Sequence, residues 1–229
     1  TAAGTTVTLS SVSDAFSNVE TLQGTAGVVM GGATITTTTA EAVTKANVTD
    51  LNNFTTAKVT VTSVQDSRSN VADIAAINNA EVDMGAAAVT ITDAVTLAQA
   101  NTDVGNLNSL TTGKVTLNSV EDTYDNIQAI KLISDDDVDM GAAAVKVTSV
   151  VDKAKVDDLR TDTTGNITVD SISDNKTNLG LVNDFADVSL AAANISVTDV
   201  VTLAQANTIH AYNTAAGTTV TLSSVSDAF

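Results

Sequence analysis

Valine and isoleucine alternate with threonine in short bursts along this chain, as in Val59-Thr60-Val61-Thr62 and Val89-Thr90-Ile91-Thr92. A period of two predicts strands with one face buried. After each burst comes Asp or Thr, and the apolar spacing then lengthens to three or four. Val71, Ile74 and Ile77 show it, as do Ile127, Ile130 and Ile133, then Leu179, Val182 and Phe185. Leu97, Ala100, Val104 and Leu107 fit the same template. These are short amphipathic helical faces. Thr96 with Gln99, and Thr202 with Gln205, have capping-box spacing and mark helix starts. Asp14, Asp66, Asp122 and Asp174 are the expected caps of the other helices. Gly113 and Gly165 stand in Thr-Thr-Gly turns that lead into the next strand.

The pattern repeats. One phrase reads VTLSSVSD at 7–14, VTVTSVQD at 59–66, VTLNSVED at 115–122, ITVDSISD at 167–174 and VTLSSVSD again at 220–227. A second phrase lies midway each time: ITTTTAEAVTKAN at 35–47, VTITDAVTLAQAN at 89–101, VKVTSVVDKAKVD at 145–157 and ISVTDVVTLAQAN at 195–207. Strand starts therefore fall at Val7, Ile35, Val59, Val89, Val115, Val145, Ile167 and Ile195. The implied period of roughly 27 residues is that of a solenoid. The expected fold is an α/β solenoid, a right-handed stack of about eight strand-plus-short-helix coils with a parallel sheet. An all-β parallel solenoid is the alternative, although LAQAN and NIQAIKLI make poor strands.

Residues 1–16 and 214–229 are identical letter for letter. We read 1–213 as one long period of four units, about 7–58, 59–114, 115–166 and 167–219, and 214–229 as the start of the next copy. The chain opens without Met or a signal-peptide pattern, and we read it as an excised or processed segment. The partners this implies are neighbouring copies of the same repeat, joined covalently or stacked head to tail.

One polar column recurs most faithfully: Asn18, Asn47, Asn70, Asn101, Asn126, Asp157, Asn178 and Asn207. It predicts either helix capping or a structural ladder whose amides bond backbone groups between stacked coils, since buried amides must find partners. The Val-Met-Gly phrases around Met30, Met84 and Met140 are expected to fill core space before a tight bend.

Composition narrows the function. Apolar residues make up 43% of the chain, so it can build a core, but aromatics supply only 3%. The core must come from small and β-branched side chains. The net charge of −17 disfavours nucleic acid and anionic membranes, because phosphate binding needs clustered cations. No apolar run is long enough to insert in a membrane. Pro, Cys and Trp are all absent, so no disulfide constrains the compartment.

Several stretches, VTITDAVTLAQAN, ISVTDVVTLAQANT and TTGKVTLNSVEDTYDNIQAI, resemble the tandem β-strand repeats of giant secreted bacterial surface proteins, cyanobacterial ones among them. The resemblance spans the whole chain through motifs of low complexity. It implies an extracellular, cell-surface role in adhesion or fibre formation, and it supplies no catalytic residues.

Candidate chemistry is sparse. His210 is the sole histidine, and with no Cys it cannot build a zinc site. No flanking motif gives it a nucleophile to serve. No cluster of Arg or Lys would hold an acidic glycan substrate, so the expectation is no enzyme and no cofactor. Calcium is the candidate ion: Asp135, Asp136, Asp137 and Asp139 fall within SDDDVDMG, and hard cations take several carboxylate oxygens. A solvated acidic turn is the plainer reading of that run. The outward threonines, Thr60, Thr62, Thr90, Thr92 and Thr116 among them, raise the idea of a flat ice-binding array, interrupted by Lys146, Asn118 and Asp170. Thr side chains and Asn47-Val48-Thr49 are glycan acceptors on paper. The expected function is a non-enzymatic structural repeat segment of an extracellular filament or giant adhesin. The alternative is a surface module that binds calcium or glycan.

Overall fold

The computed structural model describes residues 4, 6–77, 81–100, 111–132 and 138–226. Strands and helices alternate along it. The chain begins with β1 (Val7–Thr8), β2 (Ser11–Asp14), α1 (Phe16–Gln23), β3 (Val28–Val29), β4 (Thr34–Thr37) and α2 (Lys45–Phe54). Next come β5 (Val59–Thr60), β6 (Ser63–Asp66), α3 (Arg68–Ala76), β7 (Val82–Asp83), β8 (Ala88–Val95) and α4 (Leu97–Gln99). Then follow β9 (Val115–Asp122), α5 (Tyr124–Lys131), β10 (Val138–Asp139), β11 (Ala144–Val151) and α6 (Lys153–Asp162). The last elements are β12 (Ile167–Asp174), α7 (Lys176–Asn183), β13 (Val188–Ser189), β14 (Asn194–Val201), α8 (Leu203–His210) and β15 (Val220–Val225). The all-β alternative fails, because the segments between the strands coil into helices whose polar face is wet. All eight expected strand starts lie within one residue of an observed one.

The chain divides into two compact units, each interleaved in sequence. The first comprises Thr1–Asp93, Ala100–Leu117 and Ser134–Asp139. The second comprises Ala94–Gln99, Asn118–Ile133 and Met140–Phe229. Within the first, β1 pairs with β3, β2 with β4, β4 with β5, β5 with β7, and β6 with β8. Within the second, β11 pairs with β9 and β12, and β12 with β14, which in turn pairs with β15. All of these pairings are parallel. Parallel neighbours need a crossover, and the helices supply it.

The buried set explains the registers. Val115, Leu117 and Val120 point inward from β9, and Ile167, Val169 and Ile172 do so from β12. The step from two to three residues flips the alternation, and the strand must kink to keep its apolar side inward. In the neighbouring strands the ladder slips at the matching place, between Val147 and Val150 and between Val197 and Val200. Val150 and Val200 are turned out at these slips, 57% and 51% exposed. The helices cover the other side of the core with Val48 and Leu51, Val71 and Ile74, Ile127 and Ile130, Val156 and Leu159, and Leu179 and Val182. Met30, Met84 and Met140 are buried, as expected, and Leu190 takes the same place in the final unit.

A buried threonine fastens the turn before alternate strands. Thr55, Thr111 and Thr163 each donate their hydroxyl, at 2.6 Å, to the carbonyl of Ala33, Ala87 and Ala143 in the preceding repeat. The same oxygen accepts the backbone N–H two residues on. This contact brings two backbones so close that a Cβ at Gly113 or Gly165 would sit 2.2 Å from Ala87 O or Ala143 O. Glycine at these two turns is therefore a matter of close approach rather than of unusual dihedrals.

Candidate functional site: a ladder at the helix N-termini

The first backbone N–H groups of a helix have no partner within it. Here every described helix except α1, whose N-cap is Ala15, satisfies part of that need with a nearby side chain. Ser67, Thr123 and Asn175 are N-caps whose side chains accept from Asn70 N, Asn126 N and Asn178 N. Thr44 with Asn47 and Thr202 with Gln205 form reciprocal capping boxes, and Thr96 with Gln99 makes the same two bonds. The two capping boxes expected from spacing are thus present.

A further donor, the N–H at the helix's first or second residue, is met from outside. Lys45 N donates to Asp66 Oδ2 at 2.9 Å, and Arg68 N to Asp93 Oδ1 at 2.7 Å. Leu97 N donates to Asp122 Oδ2 at 2.8 Å, and Tyr124 N to Ser149 Oγ at 2.9 Å. Lys153 N reaches Asp174 Oδ2 at 2.9 Å, and Lys176 N reaches Asp199 Oδ1 at 2.8 Å. In α1 both Ser17 N and Ser17 Oγ donate to Glu41 Oε2. Each acceptor belongs to the repeat that follows the helix. Seven of the described helices are held in this way, six by a carboxylate and one by a hydroxyl. An anion at a helix N-terminus also meets the positive end of the macrodipole, worth typically ~0.3–1 kcal/mol.

Asp66, Asp122 and Asp174 do more. Their other oxygen accepts the N–H of the next residue and the side-chain amide four residues on, from Asn70, Asn126 and Asn178. Burial pushes the Asp66 and Asp122 carboxyls up, but their hydrogen bonds outweigh it and hold both below the usual value. At Asp199 the Lys176 N–H leads the causes that lower it.

Two expectations need correcting. Asp14, Asp66, Asp122 and Asp174 do not cap their own helices. Each stands one residue before the N-cap position, which Ala15, Ser67, Thr123 and Asn175 hold. Nor, among the described residues, do the asparagines of that column bond backbone between repeats. The amides of Asn18, Asn70, Asn126 and Asn178 donate to the aspartate four residues earlier, at 2.8–2.9 Å. Such residues share one helical face, so a short amide finds the local carboxylate first. Asn47 serves in its own capping box. Asp157 pairs with Lys153 at 2.5 Å. Asn207 is exposed, and Asn101 lies outside the described residues.

Of the calcium candidates, Asp135, Asp136 and Asp137 lie outside the described residues. Asp139 sits in β10 with Lys114 Nζ 2.6 Å from its carboxylate, as Lys58 is 2.5 Å from Asp83. No three His, Asp or Glu side chains converge on a metal-sized site among the described residues. His210 is exposed at the end of α8. The threonine array does not form a continuous face: Thr60 is flanked by Asp83, Thr90 by Gln65 and Thr116 by Asp139. An open hollow over α2 is lined by Thr44, Lys45, Thr49, Asp50, Asp66 and Asn70. Most of its polar groups are already committed: Thr44 to Asn47, Lys45 to Asp73, Asp66 to three donors, and Asn70 to Asp66. Among the described residues no helix is long and apolar enough to cross a membrane. The chain matches no protein-family model, no curated protein and no solved structure.

Proposed function

We propose that this chain is a non-enzymatic structural repeat segment of an extracellular filament or giant cell-surface adhesin, built as a right-handed α/β solenoid of ~27-residue coils. Its partners are further copies of the same repeat. The ladder carries this reading. Seven of the described helices are finished by a side chain of the next repeat, so the interactions are those of an array that extends by adding units. Six carboxylates, Glu41, Asp66, Asp93, Asp122, Asp174 and Asp199, are committed to holding neighbours together. The extracellular setting and the adhesive role rest on the resemblance to giant bacterial surface proteins.

Imaging the native material tests it. Continuous fibres or long surface stalks with a regular axial repeat are expected, and discrete globular particles would overturn the reading. The second reading, a calcium- or glycan-binding module, draws on the acidic run at 135–139. Titration calorimetry with millimolar calcium separates the two. Saturable heat with a raised melting temperature would favour the binding module, and the absence of both would favour the structural segment.

A further inference from the structure

The two identical sixteen-residue stretches lie in different surroundings. Residues 220–225 lie against β14 in a defined register: Ile195 with Val220, Ser196 with Thr221, Val197 with Leu222, and Val201 with Val225. Ser226 N donates to Val201 O, and Ser223 Oγ to Asp199 O. Thr219 donates both its N–H and its hydroxyl to Asn194 Oδ1. Residues 7–14 carry the same letters, but β1 and β2 pair on one side alone, with β3 and β4. Among the described residues no strand pairs with their other side. Val7 is 52% exposed, whereas Val59 and Val115 in the same column are fully buried. Asp14 shares the column of Asp66, Asp122 and Asp174, and among the described residues it accepts from Ala15 N and Asn18 Nδ2 but from no helix N–H of another repeat.

Resting on the array reading, we propose that the face formed by residues 6–16 receives the β14–α8 surface of a second copy of this chain, in the register that residues 219–226 hold there now. Identity of sequence fixes the joint. Val7 replaces Val220 beside Ile195, Thr8 replaces Thr221 beside Ser196, and Leu9 replaces Leu222 beside Val197. The incoming strand matches the one it displaces contact for contact. It also brings α1, with Phe16 and Val19, alongside α8, as α8 already lies beside α7. That extra helix packing favours the joint between copies.

The chain has no cysteine, so introduced ones report cleanly. Full-length T8C and S196C chains are mixed and oxidised. Neighbouring parallel strands lie ~4.8 Å apart, which suits a disulfide. T168C replaces T8C as the control, because Thr168 already has Lys146 and Ser189 as strand neighbours. The joint predicts a cross-linked heterodimer at least about tenfold above the control, the advantage of a held contact over chance encounter. Adding L222K to the S196C chain loosens only the in-chain strand and should raise the cross-linked fraction several-fold. Yield no higher than the control overturns the proposal, with or without L222K. Light scattering keeps the two ideas apart: growth of large species without this cross-link removes this joint and leaves the array, and monomers without it likewise remove the joint.

Discussion

Replacing Asp122 with Ala removes one rung of the ladder and leaves three donors behind. Asp122 accepts from Leu97 N at 2.8 Å, from Thr123 N at 2.7 Å and from Asn126 Nδ2 at 2.8 Å. A hydrogen bond to a charged group is worth ~1.5–3 kcal/mol when sheltered. The carboxylate is only half-buried, and water takes over part of the lost bonding, so about 1 kcal/mol per bond is the fair figure. The total is about 2–4 kcal/mol. At roughly 2–4 °C per kcal/mol for a chain of this size, Asp122→Ala should melt roughly 4–16 °C lower by circular dichroism. Amide exchange should quicken at Leu97, a residue distant in sequence, while Val19 in α1 stays protected. The pH dependence adds a second constraint. The Asp122 carboxyl is held below its unfolded value of ~3.9, so its contribution is present above that pH and is lost as pH falls through the folded value. The gap between wild type and variant should thus be constant from neutrality to about pH 5 and should close below about pH 4. A melting temperature within about 1 °C of wild type, with unchanged exchange at Leu97, would refute the ladder.

Three further substitutions probe the neighbouring contacts. Gly165→Ala places a methyl against Ala143 O, so two backbones must part; we expect a loss of about 2–3 kcal/mol, read as a shifted denaturant midpoint. Asn126→Leu removes one amide bond to Asp122 and should cost about 1 kcal/mol. If its melting shift equals or exceeds that of Asp122→Ala, the carboxylate is not the centre of the rung. Thr163→Val strands Ala143 O and Gly165 N–H in a buried turn and should cost about 2–4 kcal/mol, against under ~0.5 for Thr168→Val on the sheet surface. Equal melting of those two variants would show that burial of the hydroxyl is irrelevant.

Much of this was legible in the letters because strands and short helices announce themselves by period. Val59 with Val61, and Val89 with Ile91, read correctly as alternating buried positions, and Thr202 with Gln205 read correctly as a helix start. What escaped was whatever depends on register between repeats. The recurring Asp-x-x-x-Asn spacing at 66–70, 122–126 and 174–178 is visible in the letters, with Asn the more constant of the two across the repeats. Spacing reveals the local bond from Asn126 to Asp122, but nothing in one repeat says that Leu97 N aims at Asp122. The doublet Thr-Thr at 55–56, 111–112 and 163–164 was also a signal. It marked turns, yet the buried role of its first member follows only once Ala33, Ala87 and Ala143 are seen beneath it. The two-residue strands β3, β7, β10 and β13 are too short to carry a period at all.

The ladder also changes the meaning of the charge. A net charge of −17 suggests a surface built to repel, and part of the acidity is indeed solvated. But Glu41, Asp66, Asp93, Asp122, Asp174 and Asp199 each face a helix N-terminus in the preceding repeat. Asp83, Asp139 and Asp187 face Lys58, Lys114 and Arg160. These nine carboxylates are cohesive, since each meets a positive charge or a helix's positive end. A repeat of small apolar side chains gains little from aromatic packing, with aromatics at 3%. It must fix the spacing of its neighbours by directed bonds instead. Aspartate is the shortest anion that can serve, and its two oxygens let one side chain bind its own turn and the preceding helix together, as Asp66 and Asp122 do. Ser149 marks the one described step where a neutral hydroxyl replaces the anion. There Lys146, bonded to Glu121 and near Asp170, supplies the charged contact on the same strand, which places electrostatic cohesion beside the step that lacks it.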